Sequence, residues 1–174
     1  MSNANWTAGH TGKGLAFNGA DNYVAIKNTT GLDFTLACWI KTRQDFPVAD
    51  QTYEGTGILW ADVGGAGNDF ILGATQSGDG INRLSFFTGG GADSTVSGKS
   101  KINTGAWVHI AATRNGTTGE RRIYVNGVLE ASDFSGSGLL HDNPEIHVGG
   151  NTLDGRYFNG STDGVRVYSE VLDA

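Results

Sequence analysis

The fold is decided by residues 104–130: Thr104-Gly-Ala-Trp-Val-His-Ile-Ala-Ala-Thr-Arg114, a Gly/Thr-rich link, then Glu120-Arg-Arg-Ile-Tyr-Val-Asn-Gly-Val-Leu-Glu130. The first run reads as a long strand. The second reads as two strands joined at Asn126-Gly127, because Asn and Gly both tolerate the positive φ that a two-residue type I′ hairpin turn demands. The flanking Ile123-Tyr-Val125 and Val128-Leu129 are β-branched, aromatic or aliphatic and suit a pleated, half-buried surface.

Outward from this stretch the same grammar repeats. Twenty-eight glycines and two prolines punctuate short apolar runs without any collagen-like period. Gly14 to Asn18 and Tyr23 to Ile26 read as a short hairpin around Asn18-Gly-Ala-Asp-Asn22. Phe34 to Thr42 alternates cleanly and reads as a central strand. The polar stretch from Arg43 to Thr56 reads as a long loop that exposes Phe46 and Tyr53. Further strands are expected at Ile58 to Ala61, Asp69 to Ala74, Arg83 to Phe87, Thr95 to Ser97, Glu145 to Val148 and Phe158 to Tyr168. No amphipathic helix of three turns is present. Eleven or twelve short strands at regular spacing, by this reading, make an all-β chain of two packed antiparallel sheets, a β-sandwich.

At 174 residues the chain suits one domain, with residues 1–5 read as linker or expression-derived sequence and residues 6–174 as the domain. Twelve basic against 18 acidic residues give a net charge of −6, and no basic cluster exceeds Arg121-Arg122, which argues against a nucleic-acid partner. No apolar run is long enough to span a bilayer as a helix, which argues against membrane insertion. The single cysteine, Cys38, shares a strand face with Phe34, Leu36 and Ile40 and reads as a buried thiol.

Five phrases in order resemble one family: residues 12–24 (Gly-Lys-Gly-Leu-Ala-Phe-Asn-Gly-Ala-Asp-Asn-Tyr-Val), Phe34-Thr-Leu-Ala-Cys-Trp-Ile-Lys41, Trp107-Val-His-Ile-Ala-Ala-Thr113, Ile123-Tyr-Val-Asn-Gly-Val128, and residues 158–168 (Phe-Asn-Gly-Ser-Thr-Asp-Gly-Val-Arg-Val-Tyr). Together they resemble the laminin G-like, concanavalin A-like jelly roll of bacterial secreted and surface proteins, over residues 6–172. The resemblance implies a jelly roll outside the cell or on its surface. It also implies a further strand ahead of Trp6, either trimmed here or supplied from elsewhere in a longer protein.

Some members of this superfamily hydrolyse polysaccharides with carboxylates spaced Glu-x-Asp-x-x-Glu on one strand. The five glutamates here, at 54, 120, 130, 145 and 170, offer no such spacing, and no local nucleophile motif replaces it, so no enzyme is expected. Calcium is the expected cofactor, because hard cations take oxygens from carboxylates, amides and the carbonyls of glycine turns. Asn18 to Asn22 and Asn159 to Asp163 are such turns. In the glucanase relatives an Asp just ahead of a Val-Arg-Val-Tyr strand binds structural calcium with glycine carbonyls of an early turn. The resemblance therefore implies Asp163 as a ligand, Gly19 as carbonyl partner, and Asp21 or Asn22 nearby.

For a ligand, two loops rich in Asp, Asn and Gly stand out, residues 62–69 and 151–157, since loops on a rigid scaffold are free to vary. Asp62, Asn68, Asp69, Asn151, Asp154 and Arg156 supply planar hydrogen-bonding groups for sugar hydroxyls, and Tyr157 supplies a ring. A second calcium there would bridge to a ligand. Trp39, Trp60 and Trp107, being in strands, read as core. The expected function is a non-catalytic carbohydrate-binding module beside other domains of a larger chain, its partner a glycan or polysaccharide. The alternatives are a protein-binding adhesion module contacting a surface protein through Phe46, Tyr53 and a sheet face, or a structural spacer.

Overall fold

The structure is a computed structural model that describes residues 4–65, 67–90 and 93–173; residues 1–3 of the expected linker, Ala66, Gly91, Ala92 and Ala174 lie outside the described residues. In chain order the strands are β1 (Asn5–Ala8), β2 (Lys13–Asn18), β3 (Val24–Lys27), β4 (Phe34–Lys41), β5 (Thr56–Trp60), β6 (Phe70–Gln76), β7 (Asn82–Thr88) and β8 (Ser94–Lys101). They continue with β9 (Trp107–Arg114), β10 (Arg121–Val125), β11 (Val128–Asp133), β12 (Glu145–Val148), β13 (Gly150–Asn151), β14 (Arg156–Tyr157) and β15 (Asn159–Tyr168). A seven-stranded sheet runs β1-β2-β15-β4-β9-β10-β11, and a six-stranded sheet runs β3-β12-β5-β6-β7-β8. β13 and β14 form a small hairpin at the side. All sheet pairings are antiparallel, so the sandwich expected from alternation is the fold.

The hairpin that opened the reading is present. Val125 pairs with Val128, and the corner residues Asn126 and Gly127 have φ of 51° and 78°, the left-handed values the turn requires. β4 lies between β15 and β9 and sends Phe34, Leu36, Cys38 and Ile40 inward, all fully buried. Burial pushes the Cys38 thiol up to about 12, as expected of an inert core group.

Three expectations need correction, and one strand, β1, joins those expected. β2 and β3 are not a hairpin: β2 pairs with β1 and β15, whereas β3 pairs with β12 in the opposite sheet, so residues 19–23 carry the chain across the sandwich. The region around Trp6 is itself a strand, β1, on the edge beside β2. Phe46 is buried in the core, and Tyr53 packs against Phe87 with ring centroids 5.2 Å apart, so this long loop is folded onto the outside of the six-stranded sheet through a 3₁₀ turn at Thr52–Glu54. Phe46 is thereby spent on packing, whereas Tyr53 stays half-buried. Finally, of the three strand tryptophans only Trp60 is buried; it joins Ile71 and Phe87 beneath Tyr53. Trp39 and Trp107 are half-buried on the outer face of the seven-stranded sheet.

Two buried arginines tie loops to this frame. Arg121 forms a bidentate pair with Asp133, its cross-strand partner on β11, and also donates to Thr88 Oγ1 (2.8 Å) and the Ser94 carbonyl (2.9 Å). Arg114 donates to the Leu32 and Gly138 carbonyls and lies 5.5 Å from the Phe34 ring; burial lowers it to about 10. Where the two sheets meet at β11 and β8, the Glu130 carboxylate accepts from the backbone N–H groups of Lys99 (2.5 Å) and Ser100 (2.8 Å).

Candidate functional site

The loops singled out as a ligand platform meet at one side of the sandwich. Asp62 follows β5 and Asp69 precedes β6, so the antiparallel pairing of those strands brings the two ends of their connecting loop together. The β13–β14 hairpin packs against β5 and adds Asp154 and Arg156. These four side chains line a cleft of about 420 Å³, with Asp93 beside them and Tyr53 and Phe87 forming an aromatic wall.

Asn151 organises the cluster. Its Nδ2 donates to Asp62 Oδ2 (2.9 Å) and Asp154 Oδ2 (3.1 Å), while its Oδ1 accepts from the Leu153 N–H (2.8 Å). Asp62 Oδ1 accepts from the Gly64 N–H (2.8 Å), and Asp69 Oδ2 accepts from the Val63 N–H (3.3 Å). Asp69 Oδ1 is buried and has no donor; Arg156 Nη1 is likewise buried without an acceptor. A buried polar atom without a partner is costly, and here an acceptor and a donor are both left without one. Asp69 is only 1% exposed, and its carboxyl faces that of Asp62. Burial, opposed by the Val63 N–H and reinforced by Asp62 and Asp93, raises Asp69 to about 7.

A Cβ added at Gly89 would overlap both the Gly67 carbonyl oxygen and Asp69 Oδ1, so these two oxygens converge on one point. Among the described residues, no three Asp, Glu, His or Cys side chains are placed to hold a metal by themselves. Asp62, Asp69 and the Gly67 carbonyl, with Asp154 tethered through Asn151, supply fewer oxygens than the six to eight a calcium shell takes.

Not every expected residue joins the cleft. Asn68 turns to Asp142, whose Oδ2 accepts from its N–H (2.8 Å) and Nδ2 (3.2 Å). Tyr157 follows Arg156 and points to the opposite face, where its ring covers Gly150. The expected metal set is split. In the early turn Asn18 Oδ1 accepts from the N–H groups of Ala20, Asp21 and Asn22, and Asp21 Oδ1 accepts from Asn18 Nδ2 (2.7 Å) and Asn22 Nδ2 (3.2 Å). Gly19 sits against Asn159, while Asp163 lies four residues further along β15, about 13 Å away at strand rise. There its Oδ2 accepts from the Thr11 N–H (2.9 Å). Asp163 thus serves the β1–β2 turn, and the four residues do not form one site.

One feature was missed in the sequence. His10, on that β1–β2 turn, stacks on Trp39 with ring centroids 3.6 Å apart and planes 6° from parallel. His109 meets Trp39 edge-on at 5.2 Å; burial and the neighbouring His10 charge lower its pKa. The alternation of β4 holds the signal for Trp39, since an inward Cys38 requires an outward Trp39. Nothing local marks His10.

Two antiparallel sheets with an acidic edge cleft define a jelly-roll domain of the lectin-like class. The chain belongs to the Laminin_G_3 family of the concanavalin A-like lectin/glucanases superfamily, whose profile matches residues 18–174. No curated protein sequence is a significant match. Among solved structures, domain 4 of the GH43 extracellular arabinanase AbnA from Geobacillus stearothermophilus, in complex with arabinotriose, superposes with a TM-score of 0.73 at 22% identity, covering 99% of this chain and 78% of that one. The Ruminococcus gnavus IT-sialidase CBM40 bound to α2,3 sialyllactose gives 0.67 at 16% identity, covering 92% and 91%. Mouse laminin α1 domains LG4-5 give 0.65 at 15%, covering 99% of this chain and 45% of that one. At these identities the likeness is one of fold. Among the described residues no helix is long and apolar enough to cross a membrane.

Proposed function

We propose that this chain is a non-catalytic carbohydrate-binding module of a larger bacterial extracellular or cell-surface protein, and that its edge cleft holds a glycan through a calcium ion which the chain coordinates only in part. The observation that carries the reading is Asp69 Oδ1, buried and unpaired in the lining of the cleft beside the Asp62 carboxyl. A cation there would satisfy both carboxylates, and vicinal sugar hydroxyls would complete its shell. Arg156 Nη1 would find its acceptor on the same ligand, and the Tyr53–Phe87 wall offers an apolar surface to a sugar ring. The saccharides named with the arabinanase domain and the sialidase domain are consistent with a glycan ligand here.

The test is calorimetric titration of the chain with arabino- and sialyl-oligosaccharides, in calcium and in EDTA, followed by product analysis. Binding in calcium that disappears in EDTA and in Asp62→Asn, with no hydrolysis, is the expected result. Sugar binding indifferent to both would overturn the cleft assignment, and silence toward every glycan would favour a spacer.

A further inference from the structure

The outer face of the seven-stranded sheet carries a second set of groups that neither packing nor the edge cleft uses. Register places Trp107, Lys41 and Ser161 in one row across β9, β4 and β15, and Tyr124, Ala111, Ala37 and Arg166 in another across β10, β9, β4 and β15. Between the rows stand Trp39 and His109, with the His10 ring laid on Trp39. On one side of this aromatic ridge lies a groove of about 410 Å³, floored by Ala37, Ala111, Thr35 and Thr113 and edged by Tyr124 and Arg166. On the other side lies a polar trough of about 470 Å³ that presents Lys41, Arg43 and the Ser161 hydroxyl.

The cations on this face are unusual in a chain of net charge −6. Among the described residues Lys41, Arg43 and Arg166 have no carboxylate partner, and all three are exposed. Arg166 donates only to the neighbouring Val165 carbonyl, at 3.3 Å. Arg43 lies flat across Gly105, whose φ of 79° and missing side chain leave room for the guanidinium. Two carboxylates share the region: Asp163, already accepting from Thr11, and Asp173 at the far end of the groove. From the Lys41 row to the Arg166 row is four residues along β4, about 13 Å.

We infer that this sheet face is a second, cation-independent binding surface for an anionic polysaccharide of the uronate type. Such a chain would run along β4. One carboxylate would face Lys41 and Arg43, a later one would meet the Arg166 guanidinium, and the sugar rings between them would pass over the His10–Trp39–Trp107 ridge. A guanidinium recognises a planar carboxylate through paired N–H donors, which favours uronate over diffuse charge. The ridge supplies apolar contact to the rings, and the small floor residues let the chain approach the sheet.

The experiment measures binding of polygalacturonate, dextran sulfate and neutral dextran to the chain in EDTA at 0.15 M salt. EDTA and an Asp62→Asn background silence the edge cleft, so failure of that site and of this one read out separately. Polygalacturonate is expected to bind, dextran sulfate at least fivefold more weakly, and dextran not at all. Arg166→Ala and the double variant Lys41→Ala/Arg43→Ala should each weaken polygalacturonate at least fivefold while leaving the thermal midpoint unchanged, since all three side chains are exposed. Equal affinity for dextran sulfate would reduce the surface to unspecific charge and overturn the uronate assignment. Absence of polygalacturonate binding, or binding unaffected by both variants, would overturn the surface itself.

Discussion

Replacing Asp69 by Asn tests the edge cleft most directly, because the carboxylate is expected to cost stability until a cation arrives. Its pKa lies about three units above the ordinary 3.8, at about 7. At roughly 1.4 kcal/mol per unit this amounts to about 4 kcal/mol, and solvent screening across the open cleft brings it nearer 2 kcal/mol. The sign follows from the direction of the shift. A carboxyl that holds its proton more tightly when folded makes the unfolded state the better acid, so stability falls as pH rises from about 4 to 7 and stays low above. In EDTA at pH 8, Asp69→Asn should therefore melt higher than the parent by about 4–8 °C for a chain of this size, and at pH 4 the difference should vanish. Calcium at a hundred times its dissociation constant should stabilise the parent by about 2.7 kcal/mol and leave the variant unmoved. Differential scanning calorimetry at the two pH values, with and without calcium, reads all four numbers. A variant that melts lower than the parent at pH 8 in EDTA, or that gains as much from calcium, would refute the reasoning.

Three other outcomes follow from the same geometry. Asp163→Ala removes only the acceptor of the Thr11 N–H and should lower stability by about 1 kcal/mol in urea titration, with the calcium response intact; loss of that response would restore Asp163 as a ligand. Asp133→Ala strands the fully buried Arg121 without its carboxylate and should cost about 3–5 kcal/mol by the same assay, a smaller loss meaning that Thr88 and the Ser94 carbonyl suffice. Cys38 should resist iodoacetamide at pH 8 in the native chain and react within minutes in guanidinium, as mass spectrometry would show; native labelling would contradict its buried, protonated state.

The sheets were legible because alternation and turn chemistry are local. Asn126-Gly127 specifies its corner within two residues, and β4 declares its inward face through Phe34, Leu36, Cys38 and Ile40. Partnership between strands is not local. β2 and β3 flank a tight Asn18-anchored turn that looks like a hairpin tip, yet the chain there changes sheets. Phe46 follows no period and is buried only because the long loop folds back over the six-stranded sheet. The cleft was legible in composition: Asp62, Asp69, Asn151, Asp154 and Arg156 do converge. Asn68, Tyr157 and the Asp163–Gly19 pairing departed because their orientation depends on distant partners, Asp142, Gly150 and Thr11.

Glu130 gives the sandwich a directional rule for self-assembly. A strand at a sheet margin offers free amides to any passing strand, and proteins that remain monomeric must blunt that invitation. On the β8 margin a single carboxylate does so by occupying the Lys99 and Ser100 amides. The β1 margin of the other, seven-stranded sheet carries an exposed Trp6 instead. Strand addition at β8 is therefore blocked by chemistry that one substitution removes. Glu130→Ala should convert a population that stays small in light scattering into one that elongates with time, and an unchanged size distribution would place the block elsewhere.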